Sequence, residues 1–137
     1  MNTEQAKVLT EKIQAKADGR TIIMGGDFNA GASAPAYTHI IGTAKFSDTR
    51  SLARKNLTPG MGTYRSWGKT TNWKTANNAI DHVFVYRKNY NVEVHQILFD
   101  TFDENNVISQ DINMVGKNYD LSDHLGVYVQ FKEKGVK

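Results

Sequence analysis

Thr21-Ile22-Ile23-Met24-Gly25-Gly26-Asp27-Phe28-Asn29 is the stretch on which the reading of this chain turns. It opens as a short, continuous apolar run. The lack of alternation predicts a strand over 21–26 buried on both faces. The tetrad Gly26-Asp27-Phe28-Asn29 follows directly, so a carboxylate and an amide stand at the strand's end. They begin a loop over 27–35 rich in Gly, Ala, Ser and Asn. By itself the tetrad is as readily a turn or cap as a site, because Asp and Asn serve both purposes.

Upstream, residues 3–18 predict an amphipathic helix, with Ala6, Leu9, Ile13 and Ala17 at helical spacing and Lys7, Glu11, Lys12 and Lys16 between them. Asn2 with Gln5 forms a capping pair, and Gly19 is a natural terminator. Downstream, Pro35 starts a short helix bearing Tyr37, Ile40 and Ile41, and 48–54 predicts another. Residues 55–78 read mostly as loop, with a brief strand at 62–64. Residues 79–86 predict a strand with Asp81, Val83 and Val85 on one face and Ile80, His82, Phe84 and Tyr86 on the other. A strand over 92–99 follows, then a long polar loop over 100–120. A final strand over 124–131 turns Leu125, Val127, Val129 and Phe131 one way, and the charged tail 132–137 is expected to fray. The order suggests an α+β fold, a mixed and mainly antiparallel sheet with helices on one face.

At 137 residues, the chain has the size of one domain. Its 39% hydrophobic and 23% charged residues suit a globular core, and its two prolines and lack of low-complexity tracts argue against disorder. No apolar stretch approaches the ~18 residues of a membrane span, and the first residues contain no apolar signal segment. With no cysteine, disulfide frameworks, thiolate zinc sites and cysteine nucleophiles are excluded. The net charge is only +3, but it is unevenly spread. Segment 45–74 holds seven bases against Asp48, and segment 89–124 holds seven acids against Lys117. That pattern suits a polyanionic substrate beside a cation site, or two solvated loops of opposite sign.

Two further acidic sites give the tetrad partners. Ile80-Asp81-His82-Val83 places a carboxylate one step into an apolar strand, a costly position unless it is paired or bound to a cation. Ser122-Asp123-His124-Leu125 places an acid and an imidazole at the start of the last strand. Hydrolysis of a phosphoester needs a hard cation on carboxylates, a group to deprotonate water and donors for the phosphoryl oxygens. Asp27, Asn29, Asp81, Asp123 and His124 supply all of these groups. Ser122 is expected to shape the turn. His82 and His95 lie within strands, where they pack or face solvent, and His39 reads as a surface residue.

Gly-Asp-Phe-Asn after an apolar strand, then Ile-Asp-His-Val-Phe in a strand, then Ser-Asp-His before a final strand resembles the endonuclease/exonuclease/phosphatase family. That family includes DNase I-like nucleases, abasic-site endonucleases, inositol polyphosphate 5-phosphatases and neutral sphingomyelinases. The resemblance covers essentially the whole chain. It implies catalytic roles for Asp27, Asn29, Asp81 and His124. Asp27 would orient or activate water, Asn29 would bond the phosphate or water, and Asp81 would orient His124 and raise its pKa. His124 would meet the scissile phosphate as base or as imidazolium donor. The resemblance also implies that Asp123 is a metal ligand, with Mg²⁺ or Mn²⁺ as the cofactor.

The chain departs from the family in length. Family domains are about twice as long, a four-layer αββα sandwich whose first half supplies a metal-binding glutamate. Glu4, Glu11 and Asp18 lack the strand context for that role. The chain therefore reads as the C-terminal half, one sheet of the sandwich. Its inner apolar face should drive self-association or pairing with a first-half chain, and it should be weak or inactive alone. Arg65, Trp67 and Trp73, in a run of interleaved aromatics and bases, are candidate contacts for a nucleic acid, phospholipid headgroup or sugar phosphate. The alternative is a catalytically silent domain that binds a phosphorylated ligand or a protein partner.

Overall fold

The computed structural model describes residues 1–65, 72–86 and 89–135. Helix α1 spans Thr3–Lys16 and opens with a complete capping box. The Asn2 side chain accepts the Gln5 N–H and the Gln5 side chain accepts the Asn2 N–H, each at 2.9 Å. Two donors that the first turn would leave orphaned are thus satisfied. The helix ends at Ala17, after which Asp18 and Gly19 turn left-handed with φ of 47° and 77°.

Strand β1 (Ile22–Asp27) follows. Helix α2 (Pro35–Thr38) runs into a π-helical turn over His39–Thr43, and β2 (Ser47–Asp48) leads into α3 (Thr49–Leu52). The Asp48 carboxylate caps α3, accepting the Arg50 N–H at 2.8 Å. The remaining strands are β3 (Lys55–Asn56), β4 (Asp81–Tyr86), β5 (Tyr90–Leu98), β6 (Thr101–Phe102), β7 (Ile108–Ser109), β8 (Tyr119–Asp120) and β9 (Gly126–Glu133). No described helix is long and apolar enough to cross a membrane.

The expected α+β architecture is observed, mainly antiparallel, but the strands form three small sheets rather than one. The first has the order β1-β4-β2, the second β3-β5-β9 and the third β7-β6-β8. Among the described residues only β3 pairs in parallel, with β5. Helices α1 and α2 cover one face of the first sheet, burying Met24, Phe84, Phe46 and Phe28 against Ala6, Ala36 and Ile40. A smaller core of Trp73, Ile97 and Leu125 lies elsewhere, with Met61, Phe99 and Val127 against it.

Several expectations are corrected. Strand β1 is buried on one face only: Met24 is buried while Ile23 is 51% exposed. The unbroken apolar run therefore does not mean burial on both sides here: Ile23 is exposed on an edge strand, although Val85 across the ladder from it is buried. Segment 100–120 is not a plain loop, because it forms the third sheet and a 3-10 turn over Ile112–Met114. Its two-residue strands are too short to show a period of two. For the same reason β3 escaped notice. Lys132 and Glu133 extend β9 rather than fray. The two oppositely charged segments partly neutralise each other, through Arg54–Glu93 and Arg65–Asp120.

Candidate active site

The ladder between β1 and β4 fixes the first feature of the site. The register pairs Gly26 with His82 and Asp27 with Asp81. Two carboxylates thus stand directly opposite each other at the end of an antiparallel pair, an arrangement that destabilises the sheet unless positive charge lies between them. His124 supplies it. Its Nδ1–H donates to Asp81 Oδ2 at 2.7 Å, which leaves Nε2 3.9 Å from Asp27 Oδ2. Burial opposes a charge on this imidazole, but the bond to Asp81 and the charges of Asp81, Asp27 and Asp123 outweigh it. The His124 pKa is raised above its ordinary value.

The tetrad loop is held at its centre. Phe28 is buried, edge-on to Phe84 with ring centroids 5.1 Å apart, and its N–H donates to the Ile80 carbonyl at 2.9 Å. Anchoring Phe28 leaves the residues on either side, Asp27 and Asn29, exposed at the surface. Asn29 adopts a left-handed φ of 47°, which asparagine tolerates better than most residues, and its N–H donates to Asp27 Oδ1 at 2.8 Å. This fixes the Asp27 carboxylate.

A buried polar network lies beneath the loop, and the sequence reading missed it. The His82 Nε2–H donates to the Ala30 carbonyl at 2.7 Å, and Nδ1 lies 3.4 Å from Asp48 Oδ2. The Tyr37 hydroxyl donates to the same Asp48 oxygen at 2.8 Å. Burial alone would raise the Asp48 pKa, but its bonds to His82, the Arg50 N–H and Tyr37 lower it below the usual carboxylate value. Burial and the nearby Asp48 charge raise the Tyr37 pKa. Only the alternation of β4 could have pointed to His82, because it faces away from Asp81. Asp48 gave no signal beyond its fitness as a helix cap.

The structure therefore brings Asp27, Asp81 and His124 together, each offering a ligand atom within 4.8 Å of the others, the one such group among the described residues. Asp123 is not in that group, although its charge acts on His124. Its carboxylate is 3.5 Å from the Ser122 hydroxyl. Ser122 also shapes the turn as expected, accepting the His124 N–H at 3.1 Å. Opposed carboxylates with an acid nearby are donors of the kind a hard divalent cation takes, so the residues present fit such an ion. The imidazole, committed to Asp81, suits a proton-bearing role instead.

Two of the candidate substrate contacts are buried. Arg65 is 1% exposed and ion-paired with Asp120, and Trp73 is 4% exposed within the smaller core. Neither presents its side chain to solvent. Trp67 lies outside the described residues. An open groove of about 470 Å³ runs beside Asp81 and His124, floored by Gly25, Val83, Leu125 and Val127.

A sequence model for the Endonuclease/Exonuclease/phosphatase family matches residues 3–124. Solved structures agree in fold. A protein of that family from Bacteroides thetaiotaomicron has a TM-score of 0.70 at 20% identity, covering 94% of this chain and 44% of its own. The mannosyl-6-phosphatase of Bacteroides thetaiotaomicron VPI-5482 has a TM-score of 0.71 at 19% identity, covering 95% and 45%. A family protein from Leptotrichia buccalis C-1013-b has a TM-score of 0.61 at 22% identity, covering 93% and 41%. This chain thus spans less than half the length of each of these structures. No curated protein matches it significantly.

Proposed function

Because this chain belongs to the endonuclease/exonuclease/phosphatase family, we propose that it carries part of the active site of a phosphoester hydrolase that works with Mg²⁺ or Mn²⁺. The observation that supports this best is the Asp81–His124 pair set beside Asp27, because it places an imidazole of raised pKa next to an exposed carboxylate.

In this reading, Asp27 orients a water and accepts its proton as the water oxygen bonds to phosphorus. Asn29 bonds the water or a phosphoryl oxygen. The His124 imidazolium, held by Asp81, donates to the phosphoryl oxygens as negative charge builds on them. The phosphorus–oxygen bond to the leaving group breaks with its electron pair, and the departing oxygen takes a proton from solvent. Asp27 and Asp81, with Asp123 nearby, would hold the cation, which supplies charge neutralisation at the phosphate. The substrate class remains that of the family, a phosphodiester or a phosphomonoester. The mannosyl-6-phosphatase likeness makes a sugar phosphate one member of the panel to assay.

We further propose that the chain is the C-terminal half of such a domain and pairs with a first half at the exposed edge strand β1. Its span of under half of the matched structures and the exposed Ile23 support that reading. Mn²⁺ titration followed by paramagnetic broadening tests the metal site. Resonances of Asp27, Asp81, Asp123 and His124 should bleach first, with Mg²⁺ competing; uniform broadening would overturn the site. Hydrolysis of a generic phosphodiester by the chain alone should be weak or nil. Fast metal-dependent turnover, abolished by Asp27→Ala and His124→Ala, would sink the half-domain reading and leave the hydrolase reading standing.

A further inference from the structure

Asp81 and His124 belong to different sheets. Asp81 begins β4 in the first sheet, and His124 precedes β9 in the second, with no ladder between those strands. Their side chains nevertheless meet at 2.7 Å. What spans the gap is a short strap, residues 62–65. Its central residue, Thr63, is fully buried. The Thr63 hydroxyl oxygen accepts two adjacent N–H groups, those of Ile80 and Asp81, at 3.0 Å each. The Thr63 carbonyl accepts the Leu125 N–H at 2.6 Å, and its own N–H donates to the Asn78 carbonyl at 3.0 Å. The strap continues with a bridge from Tyr64 to His124 and a bond from the Arg65 N–H to the Asp123 carbonyl at 3.0 Å. The strap also has little slack at its start. A Cβ on Gly62 would come within 2.6 Å of the Thr75 carbonyl oxygen.

We propose that Thr63 is the positioning residue of the Asp81–His124 pair. One residue grips the backbone of Asp81 through its side-chain oxygen and the backbone just past His124 through its carbonyl. A hydroxyl oxygen has two lone pairs, which is what two adjacent N–H groups require. Valine has the same shape but offers none, so both N–H groups would be left buried and unpaired, and the start of β4 would move to find water. Serine keeps the oxygen and loses only the methyl. The proposal rests on the reading of Asp81 and His124 as the working pair of a hydrolase, but it concerns their geometry and needs no turnover.

The test follows the His124 Nδ1–H proton by NMR in the 137-residue chain. A proton held against a carboxylate at this distance resonates far downfield and exchanges slowly. Thr63→Ser should retain it. Thr63→Val and Thr63→Ala should each lose it, or exchange it at least about tenfold faster, while the amide dispersion of β5 and β9 is unchanged. The proposal is overturned if Val or Ala retains the resonance, if Ser loses it as they do, or if it vanishes only through global unfolding. Asp81→Asn is the control. A downfield proton that survives it would overturn the pair itself, and with it both Thr63's role and the hydrolase reading. Retention and loss as expected in a chain that Mn²⁺ broadens only uniformly would remove only the hydrolase reading.

Discussion

His124 illustrates how three acids decide the state of one base. Burial alone would favour neutral imidazole, yet Asp81, Asp27 and Asp123 raise its pKa. Removing the hydrogen-bonded acid should reverse the balance. Asp81→Asn is expected to lower the His124 titration midpoint, read from its ring resonances against pH; an unchanged midpoint would show that the pair does not set the charge. The raised value also has a sign for stability. The stabilisation from this pair is complete below the ordinary histidine pKa and is lost as pH rises through the raised one. In a complete protein the same shift should extend activity to higher pH, with Asp81→Asn pulling the alkaline limb down. Asp27→Ala should lower kcat by roughly 10²–10⁴-fold, the usual contribution of a positioned proton-transfer group, and His124→Ala by roughly 10²–10³-fold, the loss of one charge-stabilising donor.

Elements differ in how much of their structure is local. Helix α1 is locally specified, since Asn2 and Gln5 cap it within one turn of themselves. Asn2→Ala should cost about 1 kcal/mol in a denaturant melt. The small helix α3 is different, because its cap, Asp48, also serves a buried network with Tyr37 and His82 from two other elements. Asp48→Ala removes a charge that its partners are arranged around. A loss of ~3–5 kcal/mol is expected, together with loosening of the Ala30 carbonyl and hence of the tetrad loop. A cost near 1 kcal/mol would show Asp48 to be a cap only. Long strands were legible, β9 because an apolar period of two survives along it and β4 because it carries an unbroken β-branched and aromatic run. The two-residue strands β3, β6, β7 and β8 were not, because what makes them strands is a partner elsewhere in the chain.

At the scale of the whole molecule, two groups carry consequences beyond their neighbours. His95 is 3% exposed, and burial first, then the Arg50 charge, pushes its pKa down to about 4. Folding holds it neutral, so its stabilising effect is present above the ordinary value near 6.5 and lost as pH falls through about 4. Up to ~3 kcal/mol should disappear across that window. Melts at pH 7 and pH 4 should therefore differ less in His95→Gln than in the unaltered chain; an equal difference would place the acid sensitivity elsewhere. Ile23, 51% exposed on the open face of β1, the edge strand of the first sheet, should promote association. Gel filtration with a dye that reports apolar surface should show Ile23→Lys to be less associated and less dye-bound. A compact, dye-negative monomer before substitution would remove the case for a partner on that face. The sequence by itself determined the family and the positions of the candidate site residues, because Asp27, Asp81 and His124 each sit at or beside a strand end that local patterning reveals. Only the tertiary structure decided which of them meet. It set Asp27 across from Asp81 in register, brought His124 in from another sheet and left Asp123 outside the group of ligand atoms. It also buried Arg65 and Trp73, which the sequence offered as substrate contacts. Pairing register and the packing of one sheet beside another are set by contacts between residues tens of positions apart, and no local pattern encodes those distances.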